Sequence, residues 1–170
     1  MDLGDAKIEN NVASQNEVIR MIRKYRPDLV LANTLSDRHI DHGKAARLVA
    51  DSCFLSGLSK WETNDHGEPQ TAWRPQMILH YVQDYYMTPT LVVDITNEIE
   101  TKMLSISTFK SQFFNPDSIE PQTPISTMAF MEFIKCRARE MGRAGGTDFG
   151  EGYVSEIPIN PSTLRTLFPV

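Results

Sequence analysis

The amino-acid sequence predicts an α/β fold with a largely parallel sheet. Segments with apolar residues at helical spacing alternate along the chain with short apolar strands, and this alternation is typical of parallel sheets with crossover helices. A length of 170 residues, with 41% hydrophobic and 23% charged residues, suits a soluble globular domain with a buried core. We therefore expect one domain spanning residues 1–170.

Each predicted element has its own local signal. The spacing of Ser14 and Glu17 predicts a capping box, so we expect residues 1–13 to be irregular and a helix to continue from there to Tyr25. Three apolar, β-prone runs predict strands: DLVLAN, QMILHYV and TLVVDIT. Three stretches with helical apolar spacing predict further helices: residues 45–55, 97–113 and 127–141.

Composition excludes several classes of function. A formal charge of −5 and a pI near 5.3 provide no basic surface for nucleic acid. No apolar run approaches the roughly 20 residues that a membrane-spanning helix needs, and MDLGDAKIENN lacks the features of a signal peptide. Cys53 and Cys136 lie in apolar, helix-like contexts, which favours free thiols over a disulfide. We expect a cytoplasmic protein with no nucleic-acid or membrane partner.

Polar side chains concentrate where the first predicted strand meets the next helix. Asp37, Arg38, His39, Asp41 and His42 fall within six residues there. Ligands of parallel α/β sheets bind at the carboxyl ends of strands, and neutral imidazole is the commonest metal ligand. A short H-x-D-H segment can supply at most one or two of the three protein ligands that catalytic zinc requires. The alternative is structural: an aspartate caps the helix, and the other side chains face water.

The remaining histidines fit structural roles better. His80 alternates with apolar neighbours in ILHYV and is expected to pack within a strand. His66 lies in the long polar segment 59–75 and is expected to face water, although segments of that length more often have a function than merely connect elements. Arg74, at the end of this segment, would on spacing alone be an ordinary surface arginine.

The segment DRHIDHGKAARLV resembles the second metal-site motif of the LmbE-like (PIG-L) deacetylases. In that family a strand and a turn ending in R-H-P-D-H precede a helix, and Ile40 stands here in place of the proline. Further similar segments follow in the family's order: AWRP at 72–75, LVVDIT at 91–96, FKSQF at 109–113, TPIS at 123–126 and FGEGY at 149–153. FLSGL and KSQFFNP are most similar to the bacillithiol-biosynthesis branch, which deacetylates N-acetylglucosaminyl malate.

The resemblance implies a Rossmann-like three-layer fold and zinc-dependent hydrolysis of the N-acetyl group of an N-acetylglucosamine conjugate. His42 matches the third zinc ligand, His39 the histidine beside the tetrahedral intermediate, and Asp41 the carboxylate that orients His39. Arg38 and Arg74 are implied to bind substrate, with Arg74 at the pocket mouth. We therefore expect His39, Asp41 and His42 to cluster at the end of the first strand, with a hydrogen bond between the Asp41 and His39 side chains.

The family's first motif, A-H-P-D-D, does not occur in the sequence. In the family it supplies two zinc ligands and the general base, so we expect the chain to correspond to the C-terminal two-thirds of such an enzyme, without the first strand–helix units. The alternative is an inactive remnant or interaction module that keeps the back half of the fold. We expect the chain on its own to bind zinc weakly and to release no measurable acetate. A homo-oligomer is also implied, because members of the family form oligomers.

Overall fold

The computed structural model describes residues 3–167, which belong to two compact units. Residues up to 90 and from 153 onward form the first unit, and residues 91–152 form the second. The first unit contains α1 (Val12–Tyr25), β1 (Leu29–Ala32), α2 (Ile40–Ser56), β2 (Asn64–Asp65), β3 (Glu68–Pro69), β4 (Met77–Tyr81) and α5 (Pro161–Leu167). The second contains β5 (Leu91–Asp94), α3 (Ile99–Ser107) and α4 (Met128–Gly145), and β6 (Gly150–Val154) begins there and ends in the first unit.

Helix α1 begins earlier than the sequence predicts. Asn11 is the N-cap, and its side-chain oxygen accepts a hydrogen bond from the backbone N–H of Ser14 at 3.0 Å. The expected capping box at Ser14 and Glu17 is therefore wrong, because asparagine caps a helix as well as serine does. Residues 12 and 13 are helical rather than irregular. The helix ends as expected before Pro27, with Arg26 in the left-handed conformation at φ 47°.

The strands of the first unit place their carboxyl ends side by side. β1 and β4 are parallel, with Leu29 opposite Met77 and Ala32 opposite His80. β4 also pairs with the end of β6, which runs antiparallel to it. Both β1 and β4 are short apolar runs, as buried parallel strands usually are. The loops after β1 and β4 consequently start from neighbouring positions at one edge of the sheet.

The long polar segment 59–75 contains a small hairpin. β2 and β3 pair antiparallel around His66 and Gly67, which have φ values of 53° and 92°. Two successive residues with positive φ are typical of the tight turns that join paired strands. The side chain of His66 is 86% exposed, as the sequence predicts for a residue in contact with water.

A buried arginine joins α1 to the chain that follows α2. The Arg23 guanidinium donates hydrogen bonds to the carbonyl oxygens of Ser56 (3.1 Å), Leu58 (2.9 Å) and Trp61 (2.6 Å) and to the hydroxyl of Thr63 (2.9 Å). The carbonyl groups at a helix C-terminus lack helical partners and carry partial negative charge. The Ser56 and Leu58 carbonyl oxygens also accept from the backbone N–H groups of Trp73 and Trp61, so Arg23 adds a charged donor to acceptors at the end of α2, although burial lowers its own pKa.

The second unit has its own apolar core. Ile95, Ile99, Ala138 and Phe149 are buried together, and Val93 and Met103 pack against them. Within this unit β5 lies beside β6.

The second unit departs from the sequence prediction in two elements. α3 stops at Ser107, whereas a helix to residue 113 was expected. The hydroxyls of Ser107 and Thr108 bond to the carbonyl oxygens of Leu104 and Ser105, and such bonds compete with continued helix. β6 was not predicted as a strand, because its two glycines hide the apolar alternation.

The structure confirms an α/β fold with a mostly parallel sheet. The three predicted apolar strands correspond to β1, β4 and β5, and the helices predicted over 45–55 and 127–141 correspond to α2 and α4. Within the described residues, no helix is both long and apolar enough to cross a membrane. The assignment of residues 1–170 to a single domain stays a prediction.

The two cysteines provide a test of this packing. Both are free thiols, as expected, but Cys53 is buried, and burial raises the pKa of its thiol to about 12, whereas Cys136 is exposed. Because the thiolate is the reactive form, iodoacetamide should label Cys136 in the native protein and Cys53 only after unfolding. Mass spectrometry of the labelled protein measures this, and Cys136→Ser should leave the native protein unlabelled. Rapid native labelling of Cys53 would contradict the packing described for α2.

Candidate active site

The loop after β1 is held closely against the first turn of α2. His39 is the N-cap of α2, and its Nδ1 accepts a hydrogen bond from the backbone N–H of Asp41 at 3.3 Å. Gly43 lies in the same turn, where a Cβ would stand 3.0 Å from the carbonyl oxygen of Leu35. The missing side chain lets the loop approach the helix. His39 and His42 are three residues apart at the start of α2, and their ring centroids lie 5.5 Å from each other.

Asp37 is the centre of hydrogen bonding in this region. Its side chain has no exposed surface, and its carboxylate accepts bonds from the backbone N–H groups of Tyr85 (2.8 Å), Arg38 (2.9 Å) and Asp84 (3.3 Å) and from His42 Nδ1 (2.7 Å). Burial by itself would raise the pKa of this carboxyl group, but the hydrogen bonds outweigh burial and hold the pKa below its usual value. Asp37 is therefore ionised at neutral pH, and it joins the loop after β1 to the loop after β4.

The ionised Asp37 carboxylate fixes the tautomer of His42. A carboxylate can only accept, so Nδ1 of His42 carries the proton and Nε2 of the neutral ring keeps its lone pair. Histidines that bind a metal usually donate their other ring N–H to a carboxylate or carbonyl in this way. The side chain is 30% exposed. Nε2 of His42 therefore keeps the lone pair through which a neutral imidazole can bind a metal ion.

The tautomer of His39 is the opposite one. Its Nδ1 accepts from a backbone N–H, so in the neutral ring the proton lies on Nε2, which stands 3.4 Å from Asp5 Oδ1. Nε2 of His39 is then a hydrogen-bond donor, whereas Nε2 of His42 is an acceptor. The two neighbouring rings are thus suited to different tasks, proton donation and metal binding.

Asp41 adds a buried carboxylate to this pair. It is 6% exposed, and its Oδ1 is buried without a hydrogen-bond partner among the described residues. Donor atoms of Asp5, His39 and Asp41 lie within 4.8 Å of one another, a group of described residues that does not include His42. Histidine nitrogen and carboxylate oxygen are the donors zinc uses alongside cysteine, and an unpaired buried carboxylate oxygen favours a cation nearby. In donor type, the residues present therefore fit the metal that the resemblance implies.

The structure places the predicted catalytic residues together but pairs them differently. The expected side-chain hydrogen bond between Asp41 and His39 is not formed, because His39 caps the helix and uses Nδ1 to accept from the Asp41 backbone. The imidazole–carboxylate pair is His42 with Asp37. The assignments of His39 and Asp41 as catalytic residues and of His42 as a metal ligand stay predictions.

The two arginines assigned to substrate lie in different surroundings. Arg38 pairs with Asp84 at 2.7 Å, beside the Asp37 carboxylate. Arg74 lies over the ring of Phe54, 4.5 Å from its centroid, and donates to the Phe54 carbonyl oxygen at 2.8 Å. The cavity that Arg74 lines includes no residue from 37–42. The substrate-binding roles of both arginines stay predictions.

Comparison with solved structures defines the class of fold, although no protein-family model matches the chain. The conserved protein TT1542 from Thermus thermophilus has a TM-score of 0.73 and 24% identity, covering 90% of this chain and 62% of that one. The 4-carboxy-2-hydroxymuconate hydratase GalB from Pseudomonas putida has a TM-score of 0.70 and 16% identity, covering 94% and 64%. At these identities, both establish the mixed α/β fold alone.

Two deacetylases are more informative about chemistry. The chain is 28% identical over 116 residues to diacetylchitobiose deacetylase from Thermococcus kodakarensis, an alignment of 66% of this chain and 42% of that protein. The N,N'-diacetylchitobiose deacetylase from Pyrococcus horikoshii, complexed with its inhibitor MPG, has a TM-score of 0.71 and 25% identity and covers 97% of this chain and 57% of that one. The chain is therefore homologous to diacetylchitobiose deacetylase, and it spans about two-fifths of the length of the curated relative.

Sequence reasoning gave Asp37 no catalytic or binding role, although its neighbours offered a signal. Asp84 and Tyr85 follow β4 after two intervening residues, in the segment QDYY, and Asp37 follows β1. Because parallel neighbouring strands end at the same edge of a sheet, a carboxylate after one strand can reach N–H groups after the other. Asp5 carried no comparable signal, since it lies in irregular chain far from the cluster in sequence.

Replacing Asp37 with asparagine tests the central hydrogen bonds. Asparagine keeps an oxygen acceptor but loses the charge, so Asp37→Asn should lower the free energy of unfolding at pH 7 by about 1–2 kcal/mol. The folded-state pKa is lowered, so the stabilisation is present above the unfolded pKa of about 4 and is lost as the pH falls through the folded value.

Urea denaturation at several pH values measures the effect of Asp37→Asn. The difference in free energy of unfolding between wild type and variant should shrink below pH 4. Asp117→Asn, in an exposed loop, is the matched control and should change little. A difference that stays constant down to acid pH would contradict the role assigned to the Asp37 charge.

Proposed function

We propose that this chain contributes Asp37, His39, Asp41 and His42 to the site of a zinc-dependent deacetylase that hydrolyses an N-acetylglucosamine conjugate. The observation that supports this most strongly is the Asp37–His42 pair, which leaves Nε2 of His42 ready for a metal. The unpaired buried oxygen of Asp41 and the homology to a deacetylase support the same chemistry.

In this proposal the chain's own residues hold the metal and move a proton. His42 through Nε2 and the Asp41 carboxylate are the groups that would hold zinc, which when bound polarises the acetyl carbonyl and lowers the pKa of its water. Water oxygen adds to the carbonyl carbon, and its proton passes to His39 by way of the general base that the A-H-P-D-D motif supplies in the family. The protonated His39 ring donates from Nε2 to the departing nitrogen as the C–N bond breaks, giving acetate and a free amine, and Asp37 keeps His42 in the tautomer that binds metal.

The finer proposal is that the conjugate is N-acetylglucosaminyl malate, in cytoplasmic bacillithiol biosynthesis. The residues of the site permit this substrate because malate carries carboxylates, for which an arginine such as Arg38 is the complementary side chain. Two free thiols are in keeping with a reducing compartment. Assembly into a homo-oligomer is part of the same proposal.

Zinc titration tests the metal-binding role of His42. A four-ligand structural zinc site contributes about 10–16 kcal/mol, so the two ligands His42 and Asp41 should contribute roughly 6 kcal/mol, a dissociation constant on the order of tens of micromolar for the chain on its own. His42→Ala should abolish saturable binding in calorimetry. His66→Asn removes an exposed histidine while tolerating the positive φ there, and should leave binding unchanged. An unchanged isotherm in His42→Ala would show that the ion binds elsewhere.

Substrate binding tests the deacetylase assignment separately. In the presence of zinc, N-acetylglucosaminyl malate should shift the imidazole NMR signals of His39 and His42, and N,N'-diacetylchitobiose serves as the alternative conjugate. We expect no measurable acetate release, because the A-H-P-D-D motif that supplies the family's general base does not occur in the sequence. Shifts that are identical with and without zinc, or no shifts with either conjugate, would contradict the assignment.

The second candidate is the non-catalytic remnant or interaction module. The absence of the A-H-P-D-D motif from the sequence favours it for the chain on its own. It predicts that neither conjugate binds at His39 and His42, so the NMR experiment separates it from the first.

A further inference from the structure

A second cavity in the first unit has the features of a ligand site. It has a volume of about 240 Å³ and lies between the second half of α2, β4 and the residues after β6. Its lining includes no residue of the 37–42 segment. Most of the wall is apolar, with Cys53, Met77 and Ile157 among its residues. Its polar side chains are those of Arg74, Gln76, His80 and Glu156, of which Gln76 donates to Asp28 at 2.8 Å.

His80 places an unpaired acceptor at this cavity. It is 1% exposed, and its Nδ1 bonds to the carbonyl oxygen of Asn33 at 2.7 Å. A carbonyl oxygen only accepts, so Nδ1 carries the proton and Nε2 of the neutral ring keeps a lone pair. Nε2 is buried and has no hydrogen-bond partner among the described residues. Native proteins rarely leave such an atom unpaired, because its desolvation is not compensated.

Glu156 places a second acceptor beside the first. Its Oε2 stands 3.6 Å from His80 Nε2, beyond the 2.7–3.2 Å of an N–H···O hydrogen bond. A carboxylate oxygen and an unprotonated ring nitrogen are both hydrogen-bond acceptors, so they cannot bond to each other. A third group that donates to both atoms would satisfy them. A group with several N–H bonds and a positive charge satisfies both acceptors and neutralises the carboxylate.

Arg74 does not supply that donor, because it is held elsewhere. Its guanidinium stacks on Phe54 and donates to the Phe54 carbonyl oxygen. Gly57 makes room for it, since a Cβ there would lie 2.3 Å from the Arg74 Nε. Arg74 therefore forms a fixed wall of the cavity, and the unsatisfied acceptors are left for a bound molecule.

We propose that this cavity binds a small primary amine with a compact apolar body. The ammonium group donates to His80 Nε2 and Glu156 Oε2, and the apolar body packs against Cys53, Met77 and Ile157. A volume of about 240 Å³ lies below the usual range for drug-sized ligands and limits the occupant to a small molecule. This site is independent of the proposed deacetylase chemistry.

Benzylamine and benzyl alcohol are the probes that test the proposal. They share the apolar ring, and only benzylamine carries an ammonium group at neutral pH. In NMR titrations of the whole chain, benzylamine should shift the His80 imidazole nitrogens and bind about ten-fold more tightly than benzyl alcohol. Glu156→Gln should remove about that preference, whereas Glu68→Gln, on the exposed strand β3, should retain it.

A cavity-filling variant checks the location. Ala50→Leu places extra carbon atoms in the lining, so it should abolish benzylamine binding while amide spectra show an intact fold. Equal binding of both probes, no shift of His80 at millimolar benzylamine, or undiminished binding in Ala50→Leu would overturn the proposal. It would also be overturned if both ring nitrogens of His80 carry protons in the ligand-free protein at neutral pH, since His80 would then have no acceptor to offer.

Discussion

The buried carboxylate of Asp37 is the constraint on which the candidate site depends. It accepts hydrogen bonds from both sides of the sheet edge, from Arg38 in its own loop and from Asp84 and Tyr85 in the loop after β4. Neither loop forms helix or strand, so the backbone of one loop is not hydrogen-bonded to the other in a regular pattern. The four hydrogen bonds that the Asp37 carboxylate accepts hold the two loops together instead. Parallel pairing of β1 with β4 is what brings the two loops within its reach.

The two neighbouring histidines carry their ring protons on different nitrogens. His42 donates to Asp37 and is left with a free acceptor nitrogen, whereas His39 accepts from the backbone and is left with a donor. Two rings only 5.5 Å apart thus have opposite proton positions without any difference in residue type. A site that must hold a cation and also deliver a proton needs this asymmetry, and it comes from helix capping on one side and from a buried charge on the other.

Prediction from sequence succeeded where the signal is local and failed where it is not. The apolar runs of β1, β4 and β5 and the cluster at the start of α2 can be read from the residues themselves. The start of α1 was misplaced because Asn11 and Ser14 are comparable caps, and only the hydrogen bond decides between them. Strand β6 was not predicted, because two of its five residues are glycines and the remaining side chains are too few to show an apolar alternation. The pairing of Asp37 with Tyr85 joins residues 48 apart in sequence and requires the strand order to be known.

Asp37 and Arg23 form hydrogen bonds at the two ends of α2, and acid changes the charge of Asp37 but not that of Arg23. Asp37 loses its charge as the pH falls, and with it the bonds that organise the sheet edge. Arg23 keeps its proton throughout the acidic range, so its grip on the end of α2 persists. We therefore expect acid to loosen the turn that carries the histidines while the Arg23 hydrogen bonds still hold the opposite end of α2 on α1.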